Sequence, residues 1–174
     1  QIAKLKGARA VGIAGSDAKC RHVVETLGFD ACVNYRAADF AEALKQACPD
    51  GIDVDFENAG GEIIDAVLEQ VNLHARVVIC GLISTYNREG RTPGPYNFAN
   101  ILMKRLTVQG FLIGDYFHRM DEFTAEMSRW RAAGLIKQDL HIVEGGIAKA
   151  LEALSVLFSG ANTGKVLLKV SDPG

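Results

Sequence analysis

Hydrophobic and polar positions along this chain switch repeatedly between two patterns: short unbroken apolar runs, and apolar residues spaced three and four apart. Residues 9–14 (Arg-Ala-Val-Gly-Ile-Ala) are a short apolar run stopped by Gly15, which predicts a strand. Ser16 is placed to cap a helix over about 17–27, with Val23, Val24 and Leu27 on its apolar face and Gly28 closing it. A second strand over 31–35 leads to a helix over 39–47 and then a Pro49-Asp50-Gly51 turn. Residues 52–56 alternate apolar and acidic side chains, a strand pattern. After Gly60-Gly61, Ile63, Ile64, Val67, Leu68 and Val71 mark an amphipathic helix. Residues 76–80 carry a β-branched run, predicting a strand buried on both faces.

A polar loop rich in Gly and Pro spans 81–95. Beyond it the pattern predicts a helix over 97–104, a strand over 106–111 and a long helix over 118–133 ended by Gly134. A helix over 147–159 and a last strand over 165–170 complete the chain. Strands separated by helices need crossover connections, so the expected fold is α/β: a doubly wound, mostly parallel sheet in one domain, with helices on both faces. Residues 1–7 look like the end of a helix closed by Gly7, without a start, which predicts a natural chain extending upstream.

Charge and composition narrow the functional classes. The 174 residues carry 19 Lys and Arg against 21 Asp and Glu, a net charge of −2, which argues against a nucleic-acid partner. No apolar run approaches the ~18 residues of a membrane span. The first seven residues are neither a signal peptide nor a transit peptide. Cys20, Cys32, Cys48 and Cys80 form no Cys-x-x-Cys pair, and His22, His74, His118 and His141 are scattered, so no metal site is expected. Four unpaired cysteines fit a reduced, cytoplasmic protein.

Several motifs occur in a specific order. They are Gln1-Ile2-Ala3-Lys4-Leu5-Lys6-Gly7, Gly12-Ile13-Ala14-Gly15-Ser16-Asp17-Ala18-Lys19-Cys20, Leu27-Gly28-Phe29-Asp30 and Asn34-Tyr35. Glu57-Asn58-Ala59-Gly60-Gly61, Cys80-Gly81-Leu82-Ile83-Ser84-Thr85-Tyr86-Asn87 and Gly160-Ala161-Asn162-Thr163-Gly164-Lys165 follow. Each is weak alone, but in this order and spacing the chain resembles the prostaglandin reductase (leukotriene hydroxydehydrogenase) branch of the medium-chain dehydrogenase/reductase superfamily. The resemblance covers essentially the whole chain and implies a Rossmann domain lacking its first strand, its glycine-rich loop and the substrate domain before them.

The residues themselves suit one end of a nucleotide. A dinucleotide fold that binds NAD places an acidic side chain at the end of its second strand. Here that strand ends in Gly15-Ser16, with Lys19 close behind. A small turn, a hydroxyl, a helix N-terminus and an ammonium suit a phosphate, and equally suit a capped helix with a solvated lysine. The resemblance favours the first and implies NADP as cofactor. Asp17 is then expected in the first helical turn, where the helix dipole favours a carboxylate.

The resemblance also implies that Tyr35 covers the adenosine phosphate end, although a tyrosine at a strand edge needs no such role. It implies that Asn58, Cys80, Gly81, Ser84, Phe111, Leu112, Ile113 and Asn162 line the cofactor; by composition alone these are turn or strand residues. Asn87 falls in the same loop as Ser84 and Tyr86. Tyr86 matches the tyrosine placed near the nicotinamide ribose and the substrate carbonyl, where a phenol can donate a hydrogen bond to an enolate oxygen as hydride arrives at the β-carbon. The implied parent is a zinc-free, NADPH-dependent reductase of α,β-unsaturated ketones or aldehydes. A quinone oxidoreductase uses the same cofactor geometry, and a non-catalytic nucleotide-binding or oligomerisation module is the alternative of another class.

Two structural expectations follow. In a Rossmann sheet of order 3-2-1-4-5-6 the first strand is central. Without it, the strands over 9–14 and 52–56 flank a slot, unless they close up directly or another chain fills the slot. The apolar strand over 165–170 offers an exposed edge for pairing, so a homodimer is expected.

Overall fold

The computed structural model describes residues 1–86, 89–90 and 93–171. Its order is α1 (Ile2–Leu5), β1 (Val11–Ala14), α2 (Asp17–Glu25), β2 (Ala31–Asn34), α3 (Phe40–Ala47), β3 (Ile52–Glu57) and α4 (Glu62–Gln70). Then come β4 (Val71–Ile79), α5 (Ala99–Met103), β5 (Thr107–Gly110), α6 (Met120–Ala132), β6 (Leu140–Val143), α7 (Ala150–Ser159) and β7 (Lys165–Leu168). Every strand pair among the described residues is parallel, as strand–helix alternation requires. Among the described residues, no helix is long and apolar enough to cross a membrane.

The strands form three ladders, β1–β2, β3–β4–β5 and β6–β7. β1 and β3 share no ladder, so the slot expected between them does not close up. The ladders are also covered differently. A Cβ on Gly12 would meet Val23 of α2 at 3.0 Å and Cys32 at 3.2 Å, so α2 lies on that face of β1–β2. Val33 packs with Phe40 and Leu44 of α3 on the other face, joined by Val11 and Ile13. That core continues into α4 and β4 through Ala66, Val67, Val71 and Ala75.

The β3–β4–β5 ladder is covered on one face. Ile64 and Leu68 of α4 bury Val77, with Ile79 packed beside them. On the opposite face Val54 and Phe56 are 65% and 59% exposed, which corrects the two-sided burial expected around residues 76–80. A β-branched run reports strand propensity but not which faces are covered.

Several elements differ from the sequence reading. Val71, expected at the end of a helix, begins β4, because the strand starts five residues early and carries an irregularity between its pairings with Ile52 and Val54. There His74 has φ +64° and donates its N–H to the carbonyl of Lys104 at 2.8 Å. The long helix expected over 118–133 is preceded by a 3-10 segment, Ile113–Arg119, and starts at Met120. β6 has no counterpart in the sequence pattern: four residues carry too little periodicity, and pairing with β7 defines the strand.

Candidate functional site

Apart from Asn162, which lies in the loop before β7, the predicted site residues gather at the carboxyl ends of the parallel strands, where such sheets place ligands. They form two groups. The first surrounds the turn after β1. Ser16, extended at φ −164°, accepts the N–H of Lys19 through its hydroxyl at 3.3 Å and caps α2. Asp17 occupies the first turn, and the Asn34 carboxamide donates to its carboxylate at 2.8 Å. The carboxylate is thus held by β2.

Tyr35 lies over this turn. A Cβ on Gly15 would stand 3.1 Å from its ring and 3.3 Å from its hydroxyl, so a side chain there would push the ring back by a few tenths of an ångström. The Arg36 guanidinium sits 5.6 Å from the centroid of the same ring. Arg36 is absent from the residues that the sequence singles out; a cation directly after the tyrosine is the signal available for it. The Lys19 ammonium donates to the Gly160 carbonyl at 2.5 Å. Lys19 thereby ties the β1–α2 turn to the loop carrying Asn162, whose carboxamide donates to the Gly164 carbonyl at 2.8 Å. His22 and Asp139, 2.8 Å apart, form a second tie between α2 and the β6–β7 unit.

The second group lies beyond β3, β4 and β5. A cleft of about 510 Å³ is lined by Ile79, Cys80, Gly81, Tyr86, Phe111 and Leu112, with Leu82, Thr85, Gly110 and Asp115 completing it. Gly81 is its pivot: a Cβ there would be 3.4 Å from both the Asn58 side-chain oxygen and the Tyr86 hydroxyl. The Tyr86 hydroxyl accepts the Leu82 N–H at 3.4 Å, and the ring is 62% exposed at the mouth. Phe111 extends β5 by donating to the Ile79 carbonyl at 2.9 Å, and its ring meets Phe56 edge-on at 6.0 Å.

Leu112 and Ile113, strand core by composition, are both exposed, because β5 ends at Gly110 and the chain turns into the 3-10 segment. Leu112 lines the cleft and Ile113 does not. Ser84 sits under the glycine pair: Cβ atoms on Gly60 and Gly61 would approach its hydroxyl to 3.4 and 3.1 Å. Both glycines have positive φ, +73° and +62°, so this turn demands them on backbone grounds as well. Asn87 lies outside the described residues.

Backbone bonds stitch the two loops together. The Glu57 carbonyl accepts from Cys80 at 2.9 Å and from Gly81 at 3.1 Å; the Asn58 and Ala59 carbonyls accept from Ile83 and Ser84, both at 3.0 Å. Beneath them the Glu57 side chain, 2% exposed, accepts the N–H groups of Ala59 at 2.5 Å and Gly60 at 3.0 Å. In the sequence Glu57 stands only as one letter of a motif. Its burial gives it a structural function that composition does not signal.

Known proteins share this fold. Residues 1–129 match the zinc-binding dehydrogenase family. The chain belongs to that family. It is 46% identical over 180 residues to the NADPH-dependent curcumin reductase of Escherichia coli K12, covering 98% of this chain and 51% of that protein. It is 40% identical over 172 residues to the NADP(+)-dependent 2-alkenal reductase of Nicotiana tabacum, covering 98% and 50% respectively. The crystal structure of CurA in complex with NADPH from Vibrio vulnificus superposes with a TM-score of 0.92 at 45% identity, covering 99% of this chain and 52% of that one. The chain thus spans about half the length of the relatives it matches. Despite the family's description, no three His, Cys, Asp or Glu side chains among the described residues group as metal ligands.

Proposed function

We propose that this zinc-binding dehydrogenase chain is the NADP(H)-binding part of a reductase acting on the carbon–carbon double bond of α,β-unsaturated ketones or aldehydes. The observation that carries the reading is the turn after β1. Where an NAD-binding fold needs a carboxylate to accept the ribose hydroxyls, this turn has Gly15, Ser16 and the Lys19 ammonium. The acid present, Asp17, is engaged by Asn34. Arg36, stacked on Tyr35, supplies a second cation beside the turn. This donor set suits a 2′-phosphate, and the E. coli and tobacco relatives are named for NADP(H).

The residues present fit such a cofactor. Gly15 and Gly81 leave open the space that a Cβ would fill against Tyr35, Asn58 and Tyr86. In this reading Ser16, Lys19, Tyr35 and Arg36 hold the adenosine phosphate end, with Asn162 on the loop beside Lys19. Asn58, Cys80, Gly81, Ser84, Phe111, Leu112 and Ile113 hold the nicotinamide end. When bound, NADPH supplies a hydride.

The chain's own contribution is orientation and polarisation. Tyr86 accepts the Leu82 N–H and keeps its own O–H to donate at the mouth of the cleft, where it can stabilise an enolate oxygen. The apolar walls, Ile79, Phe111 and Leu112, offer a nonpolar face to a flat unsaturated substrate. Residence in the cytoplasm, and a homodimer through the second edge of β7, belong to the same proposal.

Fluorescence titration of the chain with NADPH and NADH tests the reading. The expected result is binding of NADPH at least about tenfold tighter than NADH, the scale of one charge-assisted hydrogen bond. Equal affinities, or no binding of either, would reject it.

A further inference from the structure

Two carboxyl oxygens buried near the cleft have no hydrogen-bond partner among the described residues: Asp55 Oδ2 and Glu57 Oε2. Both residues belong to β3 and, two positions apart, face the same side of the sheet. Their register neighbours on β4 are Val77 and Ile79, beneath α4. Leaving two carboxylates charged in such a setting is costly, and one proton held by the pair removes one of the two buried charges.

We propose that Asp55 and Glu57 hold one proton between their carboxyl groups, and that this pair positions the turn presenting Asn58 to the cofactor. The second clause rests on the functional reading above; the first rests on two buried oxygens without partners on one face of β3. Glu57 is the positioning residue. Its Oε1 takes the Ala59 and Gly60 N–H groups, and its Oε2 is left for the proton shared with Asp55. The backbone atoms of residues 57–59 then carry the bonds to Cys80, Gly81, Ile83 and Ser84, so the whole joint between the two loops depends on that one carboxylate staying in place.

Among the described residues, the elements packed around the pair offer no cation to replace the proton. On β4, Arg76 pairs in register with Val54 and so points to the opposite face. On α4 the ionisable groups are Glu62, Asp65 and Glu69, all acidic, and Asp65 accepts the Asn97 N–H. On β3 itself, Asp53 accepts from Asn72. Burial first, and the Glu57 charge second, push the Asp55 carboxyl up to about 7. The clamp therefore weakens as pH rises through neutrality.

Carbon-13 NMR of the side-chain carboxyls and amide hydrogen exchange, both followed from about pH 5 to about pH 9 on the whole chain, test the proposal. In the wild type, Asp55 should titrate near neutrality. Intrinsic-rate-corrected exchange at Ala59 and Gly60 should accelerate about tenfold as it does, the scale of one hydrogen bond to a charged group. Glu57→Gln should exchange fast at these two amides at every pH. Asp55→Asn, isosteric and able to donate to Glu57, should stay slow throughout with no step, and keeps the test available if Glu57→Gln fails to fold. An Asp55 carboxylate already ionised at the acid end would overturn the proposal, as would an unchanged pH step in Asp55→Asn. NADPH titration separates the two readings. A weaker NADPH complex in Glu57→Gln, with the NMR step present in the wild type, supports both. The NMR step in a chain that binds no NADPH supports the proton pair and refutes the cofactor assignment.

Discussion

The turn after β1 and the cleft beyond β3–β5 serve neighbouring stretches of one proposed ligand, yet they are built by opposite means. At the turn, the groups that would meet a ligand are side chains on short exposed segments: Ser16, Lys19, Tyr35 and Arg36. Their backbone is held by a ladder covered on both faces, α2 on one side and α3 on the other. At the cleft, the defining interactions are backbone bonds between two loops, anchored by one buried carboxylate, on a ladder covered on a single face. A site of the first kind is retuned by changing one side chain. A site of the second kind moves as a unit, so its weak points lie below the surface that touches ligand.

The largest expected effect tests that dependence in the core. Leu68 is 1% exposed and supports Val77 from α4. Leu68→Ala should cost about 2–5 kcal/mol of unfolding free energy, read by urea denaturation. Because the cleft rides on this ladder, exchange protection at Cys80 and Gly81 should fall before that of Ile13. Uniform loss across the chain would show that the ladders do not differ in this way.

The pH dependence comes next. Asp55 rises from its ordinary value of 3.8 to about 7 in the folded chain, mainly through burial. A carboxyl raised by folding stabilises the fold fully below the unfolded value, and that stability is lost as pH climbs to the folded one. The loss between about pH 4 and about pH 7 should approach, at most, about 4 kcal/mol. Asp55→Asn should flatten that part of the profile in denaturation at several pH values; an unchanged slope would place the dependence elsewhere.

Much of the first group is readable in the sequence, and the reason is physical. Capping by Ser16, the absence of an acid at the end of β1 and the nearby Lys19 are local facts, set within a few residues of chain. Even there, tertiary partners are hidden: that Asn34 holds Asp17 and that Lys19 reaches Gly160 depends on strands brought together from afar. At the cleft, Gly60-Gly61 and Tyr86 stand out in the sequence, but Glu57 does not. Its importance arises from burial under a turn whose carbonyls pair with a loop some twenty residues later. Periodicity predicts element type through the long segments. It fails where register decides: the early start of β4, the exposed Leu112 and Ile113, and the four-residue β6.

Smaller effects sharpen the contrast at the level of single groups. In an active form of the protein, Tyr86→Phe should lower kcat on an enone about tenfold or more while leaving Tm nearly unchanged, because the ring is exposed and only the O–H is removed. A lower Tm with kcat spared would make Tyr86 a structural residue of the loop. Ser16→Ala should cost about 1 kcal/mol through loss of the cap on α2, measured by thermal unfolding. An equal loss of NADPH and NADH affinity in that variant would show that the hydroxyl serves the helix alone.

The most direct test of the cofactor assignment is the ratio of NADPH to NADH dissociation constants in wild type and Lys19→Glu, measured by calorimetry. Reversing the charge at the turn after β1 should weaken NADPH binding by about tenfold to a hundredfold, with NADH nearly unaffected. That is the scale of removing one charge-assisted hydrogen bond and adding a repulsion in its place. If both cofactors weaken equally, Lys19 acts through its tie to Gly160, and the turn after β1 is not a phosphate site.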